Sequence, residues 1–158
     1  MLLGEALADV YSNTPVGRAR ALQNVWQSRA HTLIDLGDDV FTRGRPHPMI
    51  DHRLRNERLL AEAQDPQTAV ILLDVVLGYG SHPDPASVIA PAIETAIAEA
   101  AASGRHLAVL GCVCGTAADP QNLARQETRL REAGMRLARS NAEAARLAAR
   151  SVAAAKEA

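Results

Sequence analysis

Residues 43–56, RGRPHPMIDHRLRN, combine four arginines with two histidines, two prolines and one aspartate. Arginine presents a planar pair of N–H donors to carboxylates and phosphates, so Arg45 and Arg55 are candidates for binding a small anion. His47 stands between two prolines, which could hold its imidazole rigidly enough for acid–base catalysis. Asp51 is a candidate for the same chemistry. Its alternative role is to cap a helix while the arginines face water.

A second loop carries groups that bind phosphates in other proteins. The turn Gly78-Tyr79-Gly80-Ser81 could hold an anion with its backbone N–H groups, although it lacks the Gly-Lys-Ser/Thr of a P-loop. His82 follows the turn and is a further candidate for anion binding; with Asp84 it could also join His47 around a metal ion. Such loose spacing is not a ligand pattern, so we predict no metal.

A third loop contains Gly115 and Thr116, which precede a helix predicted to start at Asp119-Pro120. The amino end of a helix attracts anions, so these two residues are also candidates for anion binding. Asp119 would itself place a negative charge there, and capping the helix is its better role.

Asp74 interrupts the apolar run VILLDVVL, residues 70–77. A buried carboxylate is costly unless it is hydrogen-bonded or paired. We therefore expect Asp74 to orient the loop 44–51, through backbone amides or through Arg45 or His47, and we retain it as a catalytic candidate. His52, on the first turn of the following helix, is predicted to lie at the surface.

The elements that position these residues alternate between strands and helices, which predicts a parallel α/β sheet. Ligands of such sheets gather outside the carboxyl ends of the strands. The loops 37–51, 78–85 and 111–119 leave those ends, so we expect one site there, and Gly37 and Asp38 at the start of the first loop belong to it. The predicted strands cover residues 31–36, 69–78, 106–115 and 135–139.

Helices are predicted in the remaining segments. Residues 2–11 and 17–30 have helical patterns, and Asp51 can cap a helix that ends at Asp65-Pro66. Pro91 fits poorly in the middle of a helix, so the regular part of the next helix is predicted to begin near Ala90. Cys112 and Cys114 fall on one face of their strand, where core packing is favoured over a reactive role.

The bulk composition narrows the function classes. The 158 residues suit one domain, residues 1–158, and 17 Lys+Arg against 18 Asp+Glu give no basic excess for binding nucleic acid. No apolar run approaches the roughly 20 residues of a membrane span. The start has no basic segment of a signal peptide, so a cytoplasmic location is expected.

The motifs DLGDD (35–39), GRPHPMID (44–51) and DVVLGYG (74–80) resemble the FdrA-type acyl-CoA synthetase-like proteins, and the likeness continues through residues 113–149. These proteins are related to the α subunit of succinyl-CoA synthetase. The resemblance is to their carboxyl-terminal CoA-ligase domain and covers nearly the whole chain. It implies a three-layer, flavodoxin-like (succinyl-CoA synthetase-like) parallel sheet.

Two departures from the family pattern affect the expected chemistry. Succinyl-CoA synthetase carries a phosphorylated histidine after the strand that matches 106–113, whereas this chain has GCVCGTAADP without histidine. No phosphohistidine is therefore expected, and CoA or a nucleotide would be bound only through a partner domain. The family's first strand also has no counterpart here, so the strands at 31–36 and 69–77 must pair directly or borrow a strand from another chain.

Two functions are compatible with these features. The first is a CoA-ligase-like domain in an acyl-CoA synthetase-like or acyl/carbamoyl-transfer complex, a ligase or transferase that binds a small carboxylate, carbamoyl compound or phosphate. The second is a non-catalytic assembly subunit that docks a partner chain through residues 43–56. Either function predicts a homo-oligomer or a complex with another acyl-CoA synthetase-like subunit.

Overall fold

The computed structural model describes the backbone of residues 1–157 and the side chains of residues 1–155. The chain is α/β, as predicted. Its described elements are, in order, α1 (Leu2–Ala6), β1 (Val10–Ser12), β2 (Arg20–Ala21), β3 (His31–Leu33), α2 (Asp39–Thr42), α3 (Arg53–Gln64), β4 (Val70–Val76), α4 (Pro85–Ala102), β5 (Ala108–Cys114), α5 (Leu123–Glu132), β6 (Arg136–Leu137) and α6 (Asn141–Glu157).

These elements form two compact units, Met1–His47 and Pro48–Ala158, which we call the amino-terminal and the carboxyl-terminal unit. Each contains a three-stranded sheet in which every pair of strands is parallel, with the orders β2-β1-β3 and β4-β5-β6. A single domain over residues 1–158 stays a prediction.

The amino-terminal unit corrects the predicted helices over 2–11 and 17–30. Only Leu2–Ala6 is helical in the first segment, and the second contains the strand Arg20–Ala21 without a helix. In this strand the register partners of Arg20 and Ala21 are residues of β1, which provide backbone hydrogen bonds that a local pattern does not reveal. Pairing with a strand remote in sequence has overridden local helix propensity.

The carboxyl-terminal unit confirms three predicted strands as β4, β5 and β6. The unit is layered on both faces of its sheet. Ile71, Val75 and Val109 lie on one face, in a core shared with residues of α3, α4 and α5. Cys112, the register partner of Asp74, lies on the opposite face, where it bonds to the first residue of α6.

Strand pairing corrects the expectation that the strands at 31–36 and 69–77 pair directly. β3 pairs with β1, and β4 pairs with β5. β4 is consequently an edge strand of the described sheet, although its apolar run is typical of a strand inside one. The borrowing of a strand from another chain stays a prediction.

Two predicted helix starts were wrong. α4 begins at Pro85 and keeps Pro91 inside the helix. Proline loses one backbone hydrogen bond, and here the burial of Ile89 and Ile93 offsets that loss. Asn122, not Asp119, caps α5, because its side chain accepts the backbone N–H of Arg125 at 3.1 Å. No helix in the described chain has the length and apolarity that crossing a membrane requires.

Candidate functional site

Gln121 joins the loop after β4 to the loop after β5. Its buried side chain accepts a hydrogen bond from Gly78 N–H at 3.1 Å and donates to the carbonyl oxygens of Gly78 at 2.8 Å and His82 at 3.2 Å. It also donates to Ser81 Oγ at 3.0 Å. The structure therefore brings the two predicted loops of the carboxyl-terminal unit together at the carboxyl ends of their strands.

The predicted anion-binding turn has many of its donors engaged within the chain. Gly78 N–H is bound by Gln121, Ser81 N–H by Gly78 O at 3.3 Å, and His82 N–H by the carbonyl of Met49 at 2.9 Å. Gly78 and Gly80 have the positive φ angles of 123° and 86°, which glycine adopts readily. A ligand here would have to use donors other than these three.

The third predicted loop is closed by a carboxylate of the chain itself. Thr116 donates its backbone N–H and its hydroxyl to Asp119 Oδ2. The place where an anion was expected is therefore occupied by the Asp119 side chain. Gly115 is a packing residue, since a Cβ there would lie 2.8 Å from the Cβ of Leu77.

His52 lies at the start of α3 and is buried, which corrects its predicted surface position. Only 2% of its surface is exposed, and neither ring nitrogen has a hydrogen-bond partner. Asn56 Oδ1, one turn along α3, is also buried without a partner. Burial, followed by the positive charge of Arg55 and by His82, lowers the pKa of His52 to about 4. His52 is therefore neutral near pH 7.

His82 packs against His52, with the two ring centroids 5.4 Å apart. Its Nδ1 accepts the backbone N–H of Asp84 at 3.0 Å. In the neutral ring this leaves the proton on Nε2, which becomes a donor. The two histidines thus lie together, between the start of α3 and the loop after β4.

Arg55 extends from the first turn of α3 to β4, where its Nη1 donates to the carbonyl oxygen of Asp74 at 2.6 Å. Its side chain is only 13% exposed, and burial lowers its pKa. Asp74 was expected to be buried, but its side chain is 50% exposed. Its carboxylate lies 3.7 Å from Arg55 Nη2, too far for a hydrogen bond.

Asp51 precedes α3 and binds Arg53. The guanidinium and backbone N–H of Arg53 donate to the carboxylate at 2.5–3.0 Å and lower the pKa of Asp51 to about 2. These contacts are those of a helix-start residue. A catalytic role for Asp51 stays a prediction.

In the amino-terminal unit, Gly37 and His47 come together. A Cβ on Gly37 would lie 2.7 Å from His47 Nε2 and 3.1 Å from Asp35 Oδ1, so an imidazole and a carboxylate converge on this glycine. Asp38 caps α2 through Val40 N–H, and Arg45 is exposed. A role for His47 in acid–base chemistry stays a prediction.

The site residue that sequence reasoning missed most completely is Gln126, which is fully buried. Its side chain accepts Ala86 N–H at 2.8 Å and donates to Asp84 Oδ1 at 2.9 Å, which ties α5 to the start of α4. Glutamine has no characteristic spacing, so no pattern identifies it.

No group of three or more His, Cys, Asp or Glu in the described residues could hold a metal ion.

The two cysteines occupy one face of β5, as predicted. Their sulfur atoms are 3.7 Å apart, and Cys112 donates to Asn141 Oδ1 at 3.0 Å. Burial and the contact with Cys114 raise the pKa of Cys112 to about 12. A thiol with such a pKa is a poor nucleophile near neutral pH.

Comparison with known proteins identifies the family. The CoA-ligase family model matches residues 3–151, so the chain belongs to the CoA-ligase family. The chain is also 46% identical over 144 residues to the uncharacterized protein YahF of Escherichia coli (strain K12). That match covers 91% of this chain and 28% of YahF.

Proposed function

We propose that this member of the CoA-ligase family is the ligand-binding domain of an FdrA-type acyl-CoA synthetase-like or acyl/carbamoyl-transfer complex. In that complex it binds a small carboxylate, carbamoyl compound or phosphate at the carboxyl ends of its strands. CoA or a nucleotide is supplied by a partner subunit, in the cytoplasm. The observation that carries the proposal is the family match over residues 3–151.

The local chemistry of both units supports this proposal. In the amino-terminal unit, His47 and Asp35 converge on Gly37 in the segment after β3. In the carboxyl-terminal unit, Arg55 and His82 lie in the segments that begin α3 and follow β4. Arginine binds carboxylates and phosphates, and histidine and aspartate can transfer protons.

The test is a reconstituted thioester assay. The full chain would be mixed with ATP, Mg²⁺, CoA and succinate, with and without a CoA-binding subunit of an acyl-CoA synthetase, and thioester formation would be followed. We expect product only with the second subunit. His47→Ala should abolish product while the two subunits still co-elute, and the matched change His106→Ala, at another exposed histidine, should not. Full activity of His47→Ala would refute the assigned role.

A second candidate function is a non-catalytic assembly subunit that docks a partner through residues 43–56. The observation that favours it is Ile50, which is 49% exposed among arginines. Arginine is enriched in protein interfaces, and an exposed apolar side chain in the same segment adds area that a partner can bury. β4 is also an edge strand of its own three-stranded sheet, and such strands present backbone groups to which a partner can bind; of these, Asp74 O is already bound by Arg55.

Light scattering during size-exclusion chromatography tests this second function. The chain would be run alone and with a CoA-binding subunit. We expect a dimer or a complex that Ile50→Asp disrupts, whereas Val16→Asp, at another exposed apolar residue, leaves it intact. A monomer under every condition would exclude the assembly function.

A further inference from the structure

One buried side chain at the start of α3, that of His52, lacks hydrogen-bond partners, and a largely buried arginine lies three residues later. Both ring nitrogens of His52 are buried without a hydrogen bond. Arg55, three residues later, has one carbonyl acceptor and a carboxylate at 3.7 Å for a side chain that is 13% exposed. Leaving a buried polar group unpaired costs about 1–3 kcal/mol, and more when it is charged. A native structure that accepts this cost calls for an explanation.

The position of these groups in the helix indicates what they could bind. His52 is the N-cap residue of α3, and Arg55 lies in the first turn, where its positive charge helps to lower the pKa of His52. They stand at the end where a helix carries a partial positive charge and N–H groups without intrahelical acceptors. Asp51 binds the N–H of Arg53, and His52 provides no side-chain cap to the helix.

His82 adds a further donor to this group. Its Nδ1 is an acceptor for Asp84 N–H, so its Nε2 carries a proton, and its ring lies 5.4 Å from that of His52. Two carboxylates lie near these three side chains. Asp51 is bound to Arg53, and Asp74 is half-exposed and beyond hydrogen-bond distance of Arg55.

We infer that His52, Arg55 and His82 form an oxyanion-binding site at the start of α3, which takes the carboxylate or phosphate group of a small ligand. The anion would accept hydrogen bonds from Arg55 and from His52, which gains a proton as the anion binds. Protonated His52 would have two donors, and Asn56 Oδ1 is a buried acceptor one turn further along. This inference rests on the proposed function and assigns its anion to Arg55 instead of the exposed Arg45.

The test follows the histidine resonances of the full chain by NMR during pH titrations in inorganic phosphate, in acetate, and in chloride at equal ionic strength. Binding should raise the pKa of His52 from about 4 in phosphate, in acetate or in both, but not in chloride. A shift in phosphate alone identifies a phosphate site, and a shift in acetate alone a carboxylate site. No shift of His52 with either anion overturns the inference.

Variants locate the arginine responsible. Arg55→Gln should weaken binding at least about tenfold, since it removes a charged hydrogen bond. The matched control is Arg53→Gln on the same turn, where the side chain is 80% exposed and bound to Asp51; it should change binding little. Equal losses in the two variants, or a loss only in Arg45→Gln, would overturn the assignment. If Arg55→Gln does not fold, the wild-type titration decides.

These results separate the inference from the proposed function. Anion binding at His52 without thioester formation in any reconstituted mixture would leave the inference standing and reject the proposed function. Thioester formation without an anion effect on the pKa of His52 would reject the inference and leave the proposed function standing.

Discussion

Replacing His52 by leucine should make the carboxyl-terminal unit less sensitive to acid. In the folded chain the pKa of His52 is lowered from 6.5 to about 4. Between these values the unfolded chain binds a proton that the folded chain does not, so stability falls as the pH decreases from 6.5 towards 4. Above pH 6.5 His52 is neutral in both states. The folding stability that is lost on acidification is then fully present.

The size of the effect follows from the separation of the two pKa values. At about 1.4 kcal/mol per pKa unit, His52 makes the folded state lose about 3 kcal/mol across this window. That is a large part of the roughly 5–15 kcal/mol by which a domain is stable. Asp51, with its pKa of about 2, titrates below the window. Leucine removes the titration, and it also removes two nitrogens that have no partner.

Urea unfolding at several pH values, in buffers without phosphate or carboxylates, measures the effect. Far-UV circular dichroism reports mainly on α3 to α6 of the carboxyl-terminal unit, and the fluorescence of the single tryptophan, Trp26, reports on the other unit. Between pH 6.5 and 4 we expect the free energy of unfolding to fall by about 3 kcal/mol less in His52→Leu than in the wild type. His106→Leu, at an exposed histidine, should keep the wild-type slope. The same slope in His52→Leu as in the wild type would refute the reasoning.

Three further changes test the packing and the thiols. Arg105→Met should destabilise the carboxyl-terminal unit by about 1–2 kcal/mol in urea unfolding, because its guanidinium binds two carbonyl oxygens at the end of α3; unchanged stability would show that these contacts contribute nothing. Gly111→Ala should prevent stable folding, since its Cβ would lie only 2.1 Å from a carbonyl oxygen of β4. The control is Gly4→Ala, whose Cβ would lie 3.7 Å from the nearest atom. By circular dichroism the control should fold and Gly111→Ala should not. Cys112 should resist a thiol reagent at mildly alkaline pH in the folded chain, because a pKa of about 12 leaves almost no thiolate, and partly exposed Cys114 should react first. In urea both thiols should react. Rapid modification of both in the folded chain would contradict the prediction.

The sequence was most informative where local chemistry determines the structure. The apolar runs around Val70–Val76 and Ala108–Cys114 are strands because burial of branched side chains favours them, and the prediction of both was confirmed. The pattern over 17–30 suggested a helix, and that prediction was wrong. The strand Arg20–Ala21 depends on pairing with Tyr11 and Ser12, which no local periodicity records.

The same limit applies to the candidate site. The loops after β4 and β5 were predicted to meet, and they do. The group that joins them, Gln121, left no pattern, because a glutamine that binds four loop atoms is indistinguishable in sequence from one that faces water. Predicting the burial of His52 would have required the position of His82, thirty residues away in sequence.

The arginines of residues 43–56 differ in burial, and burial changes how strongly an arginine can bind an anion. Arg45 and Arg53 are exposed, and a charge in water binds an anion only weakly because solvent screens it. Arg55 has the same chemistry but lies largely buried, next to a histidine without partners. In that setting solvent would screen an anion bound by Arg55 less than one bound by either exposed arginine. We therefore expect Arg55, and not the exposed arginines of this segment, to be the centre of anion binding.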